Sequence, residues 1–204
     1  MTTHTIDSLE QLRALYAQPG ERALKKQIAA LDPHARRFVE LSPFVLLASC
    51  GAGGAMDASP RGGAPGFVKT PDAHTLLLPD APGNNRLDSF SNIVETGRAG
   101  LLFMIPGFDE TLRINGRAVL STDPADIARC TDEKRAPKLV IRVAVQEVYL
   151  HCAKAFMRSK LWSPERHVPR SAMPTIGQII GDQTGLSIAP ETQEEMVRRY
   201  AADL

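Results

Sequence analysis

An excess of charge of one sign is the first thing this 204-residue chain lacks: 24 lysines and arginines face 23 acidic residues, for a formal net charge of +1. A nucleic-acid or membrane surface would call for a concentrated basic stripe, and neither partner is expected. Long apolar runs are also missing, and the longest, near 139–145, is far too short to span a bilayer. The opening "MTTHTIDSLEQ" has no basic segment followed by an apolar one, so no secretory signal is read there and a cytoplasmic location is expected. Cysteine is scarce. Cys50, Cys130 and Cys152 are odd in number, widely spread and without CxxC spacing, which argues against a disulfide framework and fits a reducing compartment. The histidines are equally dispersed. His151 and Cys152 are adjacent, but neighbours on a regular element point different ways and make poor co-ligands, so no metal is expected.

Several catalytic signatures are absent. "GAGGAMD" (51–57) is rich in glycine, but no Gly-x-x-x-x-Gly-Lys-Ser/Thr or Gly-x-Gly-x-x-Gly pattern occurs in it, so it reads as a strand-connecting turn. Ser59, Ser89 and Ser91 lack a nucleophile elbow, no motif places a histidine, and no pair of carboxylates stands out as acid and base. An enzyme built on this chain would borrow its reactive group from a cofactor.

What is present is a strand-rich middle between helical ends. Residues 8–41 read as helical, with Ser8 and Gln11 spaced as a capping box and Leu9, Leu12, Leu15 and Tyr16 on one face. Pro19-Gly20 breaks that helix, Leu24, Ile28 and Leu31 begin another stripe, and Asp32-Pro33 marks a restart. Strands are expected at 44–50, 74–80, 99–107, 111–122 and 137–151, the fourth by clean alternation of Leu112, Ile114, Ala118 and Leu120 with polar residues. Leu87, Phe90, Ile93 and Val94 have helical spacing up to Gly97, and "DPADIARC" (123–130) is a short Asp-capped helix. Close-spaced strands with only short helices between them favour a barrel over a doubly wound sheet.

Two polar, tightly turning segments carry the functional reading. In "GNNRLDSFSN" (83–92) a helix starting near Asn85 would expose unpaired backbone N–H groups at the positive end of its dipole, with Arg86 beside them. A cation at that end makes sense when an anion bridges it and the N–H groups; the alternative is a solvated arginine beside a capped helix. In "DASPRG" (57–62) Arg61 follows Pro60 and precedes two glycines that allow close backbone approach; its alternative is a surface salt bridge. Two arginines from separate loops suit a phosphate monoester.

The blocks "DASPRGGAPGFV", "TLLLPDAPGNNRLDSFSNIVETGRAGLLFMIPGFDETLRINGRAVLST" and "YLHCAKAFMRSKLW" resemble, in this order, the FMN-binding proteins related to pyridoxamine 5′-phosphate oxidase, over about residues 35–165. They look closest to that superfamily's branch of FMN-dependent enzymes without an assigned substrate. The resemblance implies a mainly β, α+β fold: a split β-barrel over 42–165, an N-terminal helical extension over 1–41, and a C-terminal helical segment over 166–204 packed on the barrel. It implies a homodimer with FMN at the subunit interface, and either an FMN-dependent oxidoreductase acting on a small molecule or NAD(P)H, or a module that stores or senses FMN without turnover. Ser59, Arg61 and Gly62 would line the flavin site from one strand. Pro79 and Asp80 would flank the isoalloxazine edge, and Asn84, Asn85 and Arg86 would take the ribityl phosphate. Arg113 and Lys154 would reach flavin or substrate from one subunit or the other, the alternatives being an Arg113 pair with Glu110 or Asp109 and a solvated Lys154. Trp162 would cover the flavin ring or pack in the core. One departure matters: "RSKLWSPERHVPR" is basic, with Arg158, Lys160, Arg166 and Arg170, but does not match the oxidases' C-terminal phosphate-holding segment. Vitamin B6 oxidation is therefore not expected.

Overall fold

Alternation of apolar and polar residues dictates most of the strands, and the computed structural model, which describes residues 4–133 and 135–201, assembles them into one antiparallel sheet. The strands are β1 (Phe44–Cys50), β2 (Met56–Gly62), β3 (Lys69–Asp72), β4 (Thr75–Pro79), β5 (Arg98–Met104), β6 (Thr111–Ser121) and β7 (Val140–His151). Their order across the sheet is β2-β1-β5-β6-β7-β4-β3. Helices α1 (Leu9–Ala14), α2 (Glu21–Lys25) and α3 (Pro33–Leu41) precede the sheet, α4 (Asp88–Thr96) joins β4 to β5, and α5 (Pro124–Cys130) joins β6 to β7. Helices α6 (Lys154–Ser159), α7 (Ile176–Thr184) and α8 (Gln193–Tyr200) follow. No helix among the described residues is long and apolar enough to cross a membrane.

β2 and β3 are consecutive in the chain yet occupy opposite edges of the sheet. Seven Cα steps lead from Gly62 to Lys69, a maximum reach of about 25 Å. Six gaps between seven strands would hold the edges of a flat sheet about 29 Å apart. The sheet must therefore curl until its edges approach, and it does so without β2 pairing to β3, which makes it a split barrel. Inside the curl lie Val45 and Leu47 of β1, Leu101 and Phe103 of β5, Ile114 of β6 and Val143 of β7, each at most 1% exposed. Val39 of α3, Ile93 of α4 and Val68 of the linking segment complete this core. Burial of each such side chain contributes about 1.5–3 kcal/mol.

The expected strands are present, with trimmed ends, and two more join them. β2 occupies 56–62, where a turn and loop were read, and β3 was not anticipated. Only Gly51–Ala55 turns, with Gly54 at φ +85°. β2 is an edge strand, so neither of its faces is fully buried and its sequence carries no apolar alternation. The edge position also explains how Pro60 fits, since its missing N–H need not meet a second neighbour.

At the N-terminus, the first two stripes give only the short helices α1 and α2, while α3 begins at the expected Asp32-Pro33 restart. Leu9, Leu15, Tyr16 and Leu24 are all at least 60% exposed, and Ile28 instead pairs with Val148 as an isolated bridge. The Ser8 hydroxyl accepts from the Gln11 N–H at 3.1 Å, but the Gln11 side chain takes the N–H of Asp7 rather than of Ser8, so the capping box is displaced by one residue. Asp32 and Asp123 cap α3 and α5 as expected. No described residue beyond Val148 is buried.

β6 and β7 slip register once: Asn115 faces Glu147 and Gly116 faces Val145, leaving Gln146 as the extra residue of a bulge. A Cβ on Gly116 would lie 2.2 Å from the Ala144 carbonyl oxygen. Gly116→Ala should therefore cost about 1–3 kcal/mol. Gly53→Ala, whose Cβ would meet nothing within 4 Å, should leave the urea unfolding midpoint unchanged.

Candidate functional site

Period-two geometry places Asp57, Ser59 and Arg61 on one face of β2, opposite Ser49, Leu47 and Val45 of β1, so this polar row extends the inner face of the barrel. α4 packs across it and presents Ser89, only 3% exposed. The Ser89 hydroxyl donates its one proton to Asp57 Oδ2 at 2.6 Å. It must then accept from Arg61 Nη2 at 3.1 Å and from the Ser59 hydroxyl at 2.9 Å. The Arg61 guanidinium also lies 5.7 Å from the centre of the Phe90 ring. Its Nε is buried and has no partner among the described residues. A buried donor left unpaired costs about 1–3 kcal/mol, so this atom is the strongest sign of a missing acceptor.

The segment leading into α4 differs from expectation. The helix starts at Asp88 rather than near Asn85, because Asn85 (φ 58°) and Leu87 (φ 61°) both adopt left-handed backbone. Asparagine tolerates that conformation, whereas leucine does so at a cost of about 1–3 kcal/mol. Among the described residues no side chain caps α4, so its first-turn N–H groups remain available. Asn84 Oδ1 instead accepts from the Arg86 N–H at 3.0 Å. Leu87 and Val94 are exposed, leaving Phe90 and Ile93 as the inward face.

Arg86 is exposed and grips Asp88 through Nε at 2.8 Å and Nη2 at 3.4 Å, a hydrogen bond that raises its pKa further. The two arginines thus converge on one helical turn, Arg61 at Ser89 and Arg86 at Asp88. They do not come from two loops, however: Arg61 projects from a strand and Arg86 from a turn, and Arg86 is already in an exposed pair with Asp88. Gly62 ends β2 opposite Phe44. Pro79 and Asp80 close β4, where Pro79 faces Val140 and the Asp80 N–H bonds the Leu139 carbonyl. They begin the connection that ends at Asn84–Arg86, but among the described residues no hydrogen bond joins them to the Arg61 cluster.

Arg113 lies elsewhere. It projects from β6 three strands away from β2, on the face opposite that of Arg61, so the two cannot meet within one chain. It pairs with Glu147 across β7, not with Glu110 or Asp109. Its guanidinium lies 5.0 Å from the Tyr149 ring, which Lys26 also covers at 4.2 Å. The Nε of Arg113 is, among the described residues, the second buried donor without a partner. His151 packs edge-on against Tyr149, and burial, then the charges of Arg113 and Lys26, push its pKa down. Lys154 is exposed at the start of α6. Trp162, half-buried, packs on Phe156 and donates to the Phe108 carbonyl at 2.8 Å.

Sequence reasoning missed Asp57, Ser89, Lys26 and Tyr149. Two of them left a trace: Asp57 precedes Ser59 and Arg61 at strand period, and Ser89 lies one helical turn before the inward-facing Ile93. Among the described residues no group of His, Cys, Asp and Glu could hold a metal ion.

The family model described as pyridoxamine 5′-phosphate oxidase matches residues 31–152. No curated protein matches the chain by sequence. Among solved structures, HupZ of Group A Streptococcus is similar at 15% identity and a TM-score of 0.49, over 59% of this chain and 93% of that one. An FMN-binding protein from Syntrophomonas wolfei subsp. wolfei shares 11% identity at a TM-score of 0.44, over 70% of this chain and 92% of its own. An F420 reductase shares 13% identity at a TM-score of 0.41, over 59% and 98%.

Thiol chemistry tests the local environments. The exposed Cys152 has its pKa lowered, chiefly by the backbone N–H of Lys154, whereas burial pushes Cys130 up to about 11. The thiolate is the nucleophile, so a lower pKa means faster reaction at neutral pH. Iodoacetamide followed by peptide mapping should label Cys152 first and Cys130 only after unfolding.

Proposed function

Because the chain belongs to the pyridoxamine 5′-phosphate oxidase family, whose model matches residues 31–152, we propose that it is an FMN-binding flavoprotein acting as an oxidoreductase on a small substrate, with NAD(P)H as a candidate donor. The observation that carries the reading is the partnerless buried Nε of Arg61, beside the uncapped first turn of α4. These donors suit a phosphate dianion: a guanidinium fork, the N–H groups of the helix start, and Arg86 as a second cation at its rim. The donor set therefore fits the ribityl phosphate of FMN.

In this reading Arg61 and the α4 first turn bind the phosphate, and the Asp57–Ser89–Ser59 network holds the Arg61 fork in place. Bound FMN supplies hydride and single-electron chemistry itself, which accounts for the absence of an acid–base pair in the sequence. Gly62, Pro79, Asp80, Asn84 and Asn85 would contribute the remaining walls. Arg113 and Lys154 would stabilise negative charge on the flavin or its substrate. Since Arg113 and Arg61 sit on opposite faces of the sheet, Arg113 reaches a flavin held by Arg61 only from a second copy, which is the basis for proposing a homodimer with its sites at the interface. A cytoplasmic location accords with the free cysteines.

Purified protein should be yellow with a flavin absorption spectrum that bleaches under NADPH. A flavin spectrum that no donor bleaches would instead mark a storage or sensing module. Arg61→Ala should weaken FMN binding roughly 10- to 150-fold, the loss of one charge-assisted hydrogen bond or more. Arg158→Ala should leave it unchanged, and equal dissociation constants for the two variants would overturn the assignment.

A further inference from the structure

A second cluster of cations lies away from the β2–α4 contact and shares no residue with it. α3, the β2–β3 link, β3 and α5 enclose an open cleft of about 320 Å³ lined by Arg36, Glu40, Gly66, Val68, Lys69, Thr70, Pro71 and Arg129. Backbone carbonyls, not carboxylates, fix two of its cations. Arg36 Nη2 donates to the Thr70 carbonyl at 3.0 Å, and Lys69 Nζ to the Gly66 carbonyl at 2.8 Å.

Among the described residues none of Arg36, Lys69 and Arg129 forms a salt bridge. Glu40, the one carboxylate in the lining, pairs with Arg37 at 3.3 Å. Each anchored cation keeps donors to spare, since a guanidinium carries five N–H groups and an ammonium three. In a chain of net charge +1, three cations beside a single carboxylate that Arg37 already pairs are a local positive field.

The backbone is shaped to build this wall. Gly66 adopts φ +78°, and a Cβ there would come 3.3 Å from the Glu40 carbonyl, so the link presses directly onto the end of α3. Val68, 3% exposed, and Pro71 add an apolar floor.

We propose that this cleft is a second binding site, for a small molecule bearing a phosphate-type dianion. Arg36 and Lys69 supply pre-positioned donors, Arg129 closes over the anion from α5, and Val68 and Pro71 accept a modest apolar body.

The test is a titration of the FMN-saturated protein, followed by amide and side-chain NMR, with inorganic phosphate and with phenyl phosphate, against chloride at matched ionic strength. Saturable shifts should centre on Arg36, Gly66, Lys69 and Arg129. Arg129→Gln, an exposed change that leaves the fold intact, and Lys69→Met should each weaken binding about tenfold or more. Arg158→Gln should not. Tighter binding of phenyl phosphate would identify a monoester as the ligand, and equal binding of the two probes would identify free phosphate; both support the site. Shifts that never saturate, that match chloride, that map to Ser59–Arg61 and α4 instead, or that persist in Arg129→Gln would overturn it.

Discussion

The link from Gly62 to Lys69 is too short to join the edges of a flat seven-stranded sheet, and the curl it enforces underlies everything else in the structure. Curling turns one face inward, so the alternating Val, Leu and Phe residues of β1, β5, β6 and β7 meet around Phe103 and Ile114 with almost no exposure. It also leaves β2 as an edge whose inner face is not filled by another strand. α4 fills that place, and the polar row Asp57–Ser59–Arg61 gains its partner in Ser89. The same link supplies Gly66 and Val68 to the basic cleft. One short connection thus shapes both concavities.

The arginines differ in what their surroundings make of them. Arg86 is exposed to water that screens its pair with Asp88, so that contact orients the side chain more than it stabilises the fold. Arg61 is half-buried, stacks near Phe90 and keeps a buried Nε without an acceptor. Because an unpaired buried donor is costly, an incoming anion gains most at Arg61, and Arg86 adds charge at the rim. Arg113 repeats the buried, partnerless Nε, but its Glu147 partner and the Tyr149 ring hold it on the opposite face. Cooperation between Arg113 and Arg61 is therefore a property of an assembly of chains, not of a single one.

Backbone strain marks the same region. Two of the three non-glycine residues with positive φ among the described residues, Asn85 and Leu87, flank Arg86. They delay the start of α4 and leave its first turn without a side-chain cap. Glycine or asparagine at 87 would hold that left-handed backbone with less strain than leucine does.

The sequence by itself determined the elements whose signal is local. Alternation marked β6, apolar runs marked β1, β4, β5 and β7, and Asp32-Pro33 and Asp123-Pro124 marked two helix starts, because side-chain period and capping depend only on near neighbours. It also singled out Arg61 and Arg86, since a cation between a proline and two glycines or at a helix start is anomalous without a partner. Only the tertiary structure decided that 56–62 is a strand, because an edge strand borrows its order from β1 and needs no apolar pattern of its own. Packing likewise decided the Ser89 hub, the Arg113–Glu147 pair and the cleft at Arg36, Lys69 and Arg129. Each of these depends on residues tens of positions apart being brought together by the curl of the sheet, and no local pattern encodes that distance.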